Sequence, residues 1–241
     1  MDRQGFASLS PLDSVPEAEA RLGLRERNKA EKLQRIRKAA RALFMKRGYD
    51  DTTMRDIAKR ADVGFGTLFT YASDKRDMLF LIFNDELDNV VADSFARAVK
   101  ERLFLDQLVA FFSGFYIFFA PQPELSRVVL REMTLYLKGR QAEQFQASCG
   151  RITGHLASFV TQALTARRLG TREDPQIVAQ ALLSTFAAEI RRWIAADDPD
   201  LKHGLARLRR MLSLQVTGLA PRTGALKKQP AGALEKRKKK P

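Results

Sequence analysis

Between positions 53 and 75 the chain gathers side chains suited to a polyanion: the hydroxyls of Thr53 and Thr67, the phenol of Tyr71, the ammonium of Lys75 and the guanidinium of Arg55. The first four groups bond phosphate oxygens. The guanidinium can also grip the O6 and N7 edge of a guanine with two parallel hydrogen bonds. Arg55 has a plainer reading as a solvated surface charge. Other chemistry is poorly supplied. A single cysteine, Cys149, excludes an intramolecular disulfide and zinc sites built on several cysteines, and His155 and His203 are the only histidines. No acid, base, nucleophile or ligand set clusters. The sequence therefore implies no catalytic residue, no metal, no cofactor and no enzyme.

The elements that must position these groups are helical. Over 29–47, Leu33, Ile36, Ala39, Ala40, Leu43 and Phe44 recur at three- and four-residue spacing, and Gly48 stops the run. Thr53 followed by Asp56 approximates a capping box and starts a short helix over 54–60, with Ile57 and Ala58 inward. After the break at Ala61-Asp62-Val63-Gly64, a second short helix is expected over 65–71, with Leu68 and Phe69 inward. Two short helices behind a longer one read as a helix-turn-helix. Further helices are expected over 75–99, 104–119, 124–138, 142–168, 175–195 and 200–218, punctuated by Pro121/Pro123, Gly139, Gly170/Pro175 and Pro199. No segment alternates with period two, so the fold class is all-α.

The charge is unevenly placed. The formal net charge is +14 over 241 residues, which divides into −3 over 1–20, +8 over 21–80, +2 over 81–220 and +7 over 221–241. A basic head and a basic tail on a near-neutral body favour nucleic acid as partner. The expected organisation is a disordered arm over 1–24, the head over 25–75, a helical body over 76–220 and a disordered basic tail over 221–241. The tail is either a solvated end or an auxiliary phosphate-binding arm. Residues 1–20 lack the apolar block of an export signal. The longest uncharged stretch, Gln107–Pro123, is too short and too polar for a span and reads as a buried core helix. A cytoplasmic protein with no membrane partner is expected.

Over 29–79 the chain resembles the TetR family of bacterial transcriptional regulators. The resemblance is carried by Ile36, Ala39-Ala40, Leu43-Phe44, Gly48, Thr52-Thr53, Ile57-Ala58, Val63, Gly66-Thr67-Leu68, Tyr71, Lys75 and Leu79. In such a module the second short helix enters the major groove. The resemblance adds Phe65, Gly66 and Thr70 to the positions that face DNA. Phe65 cannot hydrogen-bond a base but can pack on a thymine methyl. The chain departs from the family pattern at Asp62, Gly64, Phe69 and Ala72, where Gly, Ser, Tyr and an aromatic are usual.

The resemblance also implies a body that binds a small effector and pairs with a second copy. Aromatic crowding between Phe80 and Phe159 offers Phe83, Phe111, Phe115, Met133, Tyr136, His155 and Phe159 as pocket residues, with plain core packing as the competing reading. The last two helices offer Phe186, Ile190, Leu205, Leu208 and Leu212 as a homodimer interface, with an intramolecular core as the alternative. The expected function is a dimeric repressor on double-stranded operator DNA, released by a hydrophobic or aromatic effector. The alternative is an effector-independent, weakly specific DNA-binding protein that uses its basic tail.

Overall fold

The computed structural model describes residues 15–218. Every regular element among them is helical: α1 (Val15–Arg47), α2 (Met54–Ala61), α3 (Phe65–Leu68), α4 (Lys75–Ala98), α5 (Phe104–Phe119), α6 (Pro123–Glu132), α7 (Ala142–Thr165), α8 (Pro175–Ile194) and α9 (Leu201–Thr217), with a 3-10 turn at Met133–Leu135 after α6. The basic tail and residues 1–14 lie outside the described residues. α1 begins at Val15, inside the stretch expected as an arm.

The head closes around the stripe read on α1. Ile36, Ala39, Ala40, Leu43 and Phe44 are buried against Ile57, Ala58 and Ala61 of α2 and Leu68 of α3. α2 starts in a full capping box: the Thr53 hydroxyl accepts from the Asp56 amide, and the Asp56 carboxylate accepts from the Thr53 amide. It ends on Asp62, a non-glycine residue in the left-handed region at φ 52°. The Val63 amide reaches back to the Ala58 carbonyl at 3.1 Å.

α3 is shorter than expected. Beyond Leu68 three-residue bonds run from the Thr70 amide to the Thr67 carbonyl and from the Tyr71 amide to the Leu68 carbonyl, which the Ala72 amide also reaches. One turn has a single inward direction. Leu68 takes it and is fully buried, whereas Phe69, expected inward, is 37% exposed. The helix expected over 124–138 likewise ends at Glu132 and tightens into the 3-10 turn.

α5 is the body's centre and packs on α4, α7, α8 and α9. Its approach to α4 depends on Gly114, where a β-carbon would collide with Ser94 and Arg97. Phe111, Phe112 and Tyr116 on α5 are fully enclosed. No single described helix is long and apolar enough to cross a membrane.

Candidate functional site

The tip of the head is built from α2, the turn after it and α3. Thr53 and Arg55 are exposed there, as are Phe65, Gly66 and Thr70, while Thr67 and Tyr71 are half-buried. The Thr53 hydroxyl is engaged with Asp56, and its hydrogen bond is the main reason the Asp56 carboxyl lies below its usual range. The Thr70 hydroxyl donates to the Thr67 carbonyl at 2.7 Å. A β-carbon on Gly66 would meet nothing within 4 Å, so a neighbouring molecule can approach the backbone there. The Arg55 guanidinium stacks over the Phe65 ring, 5.5 Å from its centroid. Phe69 meets Phe65 edge to face at 5.0 Å.

Lys75 is more committed than its position at the start of α4 suggests. Its ammonium donates to the Tyr49 and Asp50 carbonyls, each at 2.9 Å, and lies 4.6 Å from the Tyr49 ring centroid. A three-donor ammonium keeps one hydrogen for a phosphate. The α4 N-terminus already holds anions, with Asp74 as its cap and Asp77 in its first turn.

Where head meets body lies a cluster that the sequence pattern did not reveal. Asp77 is fully buried, and its carboxylate accepts hydrogen bonds from both sides of the joint. The Ser73 amide (2.7 Å) and hydroxyl (3.0 Å) reach it from the head. The Tyr136 phenol and the Arg140 (3.0 Å) and Gln141 (2.8 Å) amides reach it from the body. Burial pushes its pKa up, but hydrogen bonds from Tyr136, Ser73, Gln141 and Arg140 outweigh that and hold it below the carboxylate range. Gly139 makes room for this arrangement. Its φ of +145° favours glycine, and a β-carbon would sit 2.6 Å from Asp77 Oδ1. Beside it, Gln141 donates to the Tyr71 carbonyl at 2.9 Å, and Arg76 pairs with Glu132 at 3.2 Å. A carboxylate heading the apolar run Met78–Phe83 was the available signal.

The expected pocket residues fall into separate packed groups. Phe111, Phe115, His155 and Phe159 form one aromatic cluster with Phe95, with His155 stacked on Phe95 at 4.0 Å. Burial, and then Arg151, lowers the His155 pKa. Tyr136 belongs to a second group, stacked on Phe80 at 3.8 Å beside Asp77. Phe83 lies in a third, against Phe118 and Arg41, on a cavity of about 110 Å³. Met133 is half-buried on the 3-10 turn. Larger hollows lie elsewhere. One of about 320 Å³ is bordered by Glu189, Trp193 and Arg207. Another of about 580 Å³ is bordered by Phe104, Leu182 and Val216.

The residues expected at a dimer interface lie at different depths in the protomer. Ile190, Leu208 and Leu212 are enclosed within the protomer, Phe186 is buried, and Leu205 is half-buried. Phe186 stacks on Phe112 of α5 at 4.3 Å. The apolar stripes of α8 and α9 serve their own chain's core, because α5 offers a matching aromatic face. Their outward sides still carry exposed Ile177 and Leu214.

Residues 36–82 match the family model described as bacterial regulatory proteins, tetR family. The fatty acid metabolism regulator protein of Bacillus subtilis (strain 168) is 23% identical over 198 residues, spanning 80% of this chain and 98% of that protein. The fold is shared with solved structures. FadR from Bacillus subtilis, in complex with stearoyl-CoA, superposes with a TM-score of 0.62 at 19% identity, over 77% of this chain and 98% of that one. Thermus thermophilus FadR, a TetR-family repressor in complex with lauroyl-CoA, gives 0.59 at 23% identity, over 80% and 99%.

Proposed function

We propose that this chain, a transcriptional regulator of the TetR family by its head, binds operator DNA as a cytoplasmic homodimer and represses until an acyl-CoA thioester enters the body. The observation that carries the DNA half is the tip of the head. There Thr53, Arg55, Phe65, Gly66, Thr67, Thr70 and Tyr71 lie on α2, α3 and the turns beside them, five of them exposed and two half-buried. Lys75 adds its remaining donor. In a helix-turn-helix this surface meets the major groove and its bordering phosphates. Pairing through the outward sides of α8 and α9 would set two heads on successive half-sites.

Support for an acyl-CoA effector is the company of FadR structures holding stearoyl-CoA and lauroyl-CoA, together with a body whose apolar interior combines aliphatic side chains with aromatic rings. Such a ligand releases DNA only through its different affinity for the two arrangements of the heads. The test is to enrich a binding sequence from a random duplex pool and titrate stearoyl-CoA into the complex. Release at micromolar ligand with a matching rise in melting temperature is expected. A complex indifferent to acyl chains of every length would reject the effector.

A second reading is favoured by the scattering of the expected pocket residues over three packed groups. In that reading the protein is an effector-independent, weakly specific DNA binder that uses its basic tail. It expects little enrichment from the pool and binding that falls steeply with salt.

A further inference from the structure

Phe65 and Phe69 are the exposed aromatic pair of the head. They are 42% and 37% exposed, although Leu68 beside them is fully buried. The pair stands edge to face, 87° between planes, and a guanidinium covers the Phe65 ring. The surrounding segment, residues 21–80, is basic at +8. A pair of rings flanked by a cation suits a surface that is apolar at one point and anionic around it.

The major groove offers such a surface. Base faces there are stacked and inaccessible, and base edges are polar. The one apolar feature projecting into the groove is the C5-methyl of thymine. Wedging rings between bases belongs to minor-groove binders and would not use the tip of a helix-turn-helix. We propose that Phe65 and Phe69 form a methyl-reading pair. A pyrimidine C5-methyl sits in the angle between the rings, and the Phe65 ring props Arg55 toward an adjacent base pair. The inference rests on the head's being the DNA-binding surface. It assigns a role to Phe69, which neither the helical pattern nor the family resemblance placed on DNA. At the base pair concerned, discrimination runs through one methyl group and no hydrogen bond.

The full chain is used to enrich a duplex from a random pool. Each thymine of that duplex is then replaced in turn by deoxyuridine, which removes only the methyl. At one or two positions per half-site, deoxyuridine should weaken binding about fourfold, the transfer value of one buried methyl. Phe65→Ala or Phe69→Ala should weaken binding to the thymine duplex similarly and erase the deoxyuridine effect at that position. Placing a C·G pair there, 5-methylation of the cytosine should restore about fourfold. Both variants change exposed side chains, and unchanged thermal melting shows that they fold. If no deoxyuridine costs more than twofold, or if the alanine variants keep the wild-type penalty, the rings do not read methyls. In either case enrichment itself would leave DNA reading by the head standing. Failure to enrich any sequence overturns both.

Discussion

In the head, Phe65 and Phe69 face solvent beside a guanidinium, whereas in the body Phe111, Phe112 and Phe159 are sealed among other rings. The head closes its core with Ala39, Ala40, Ile57 and Leu68 together with the enclosed rings of Phe44 and Tyr49. Its two spare rings are therefore free for a partner. The body spends its aromatic side chains on itself, and α5 sends rings onto those of α7 and α8. The contrast teaches that aromatic content alone does not mark a binding site. What marks one is a ring left outside a core that is already complete.

A charge inside the aromatic body should produce the largest effect. Phe186→Asp or Leu208→Asp places a carboxylate among apolar side chains and should cost at least about 4 kcal/mol, enough to unfold the body. Phe65→Asp should change stability by less than about 0.5 kcal/mol. Denaturant titration compares them, and a folded, monomeric Phe186→Asp chain would return that residue to a surface between copies.

Next in size is the joint. Asp77→Asn puts an amide where the surrounding donors need an acceptor, costing about 2–4 kcal/mol at neutral pH. The folded pKa of Asp77 lies below the unfolded value. Its contribution is therefore present above the unfolded pKa, about 3.9, and disappears as pH falls through the folded pKa. Denaturant midpoints measured from pH 7 to pH 3 should converge for wild type and variant. Curves that stay parallel would show that the carboxylate is not charged in the fold.

Arg55→Ala should cost about 1–3 kcal/mol of discrimination at one base pair while leaving binding to random DNA little changed. An unchanged base-preference profile would make Arg55 a solvated charge and not a reader. Removing residues 222–241 should have the smallest effect on the fold, with no shift in melting temperature. For every phosphate that the shortened chain no longer neutralises, the slope of log affinity against log salt should fall by about 0.9. Identical slopes would leave the electrostatics to the head.

The head was legible because its signals are local. The α1 stripe, Thr53 with Asp56, and the break after Ala61 each act within a few residues, and each appears in the structure. Phe69 escaped because α3 is a single turn, too short for periodicity to give a direction. The body was legible as helices but not as a site. An apolar stripe such as Phe186, Ile190 and Leu208 shows that something covers it, and only the packed chain shows that the cover is α5. Tyr136 was singled out as a pocket handle and proves to be a donor to Asp77, a partner 59 residues away in sequence.

Asp77 also sets how the molecule comes apart. Arg140 and Gln141 lie between the 3-10 turn and α7, where backbone hydrogens ordinarily trade quickly with deuterium from the solvent. Here both are held on a buried carboxylate anchored in α4. They can exchange only when that anchor lets go, so these two loop amides should be as protected as those of the α4 core. Their exchange rate becomes a clock for the separation of head from body, and any compound that loosens the joint should speed it.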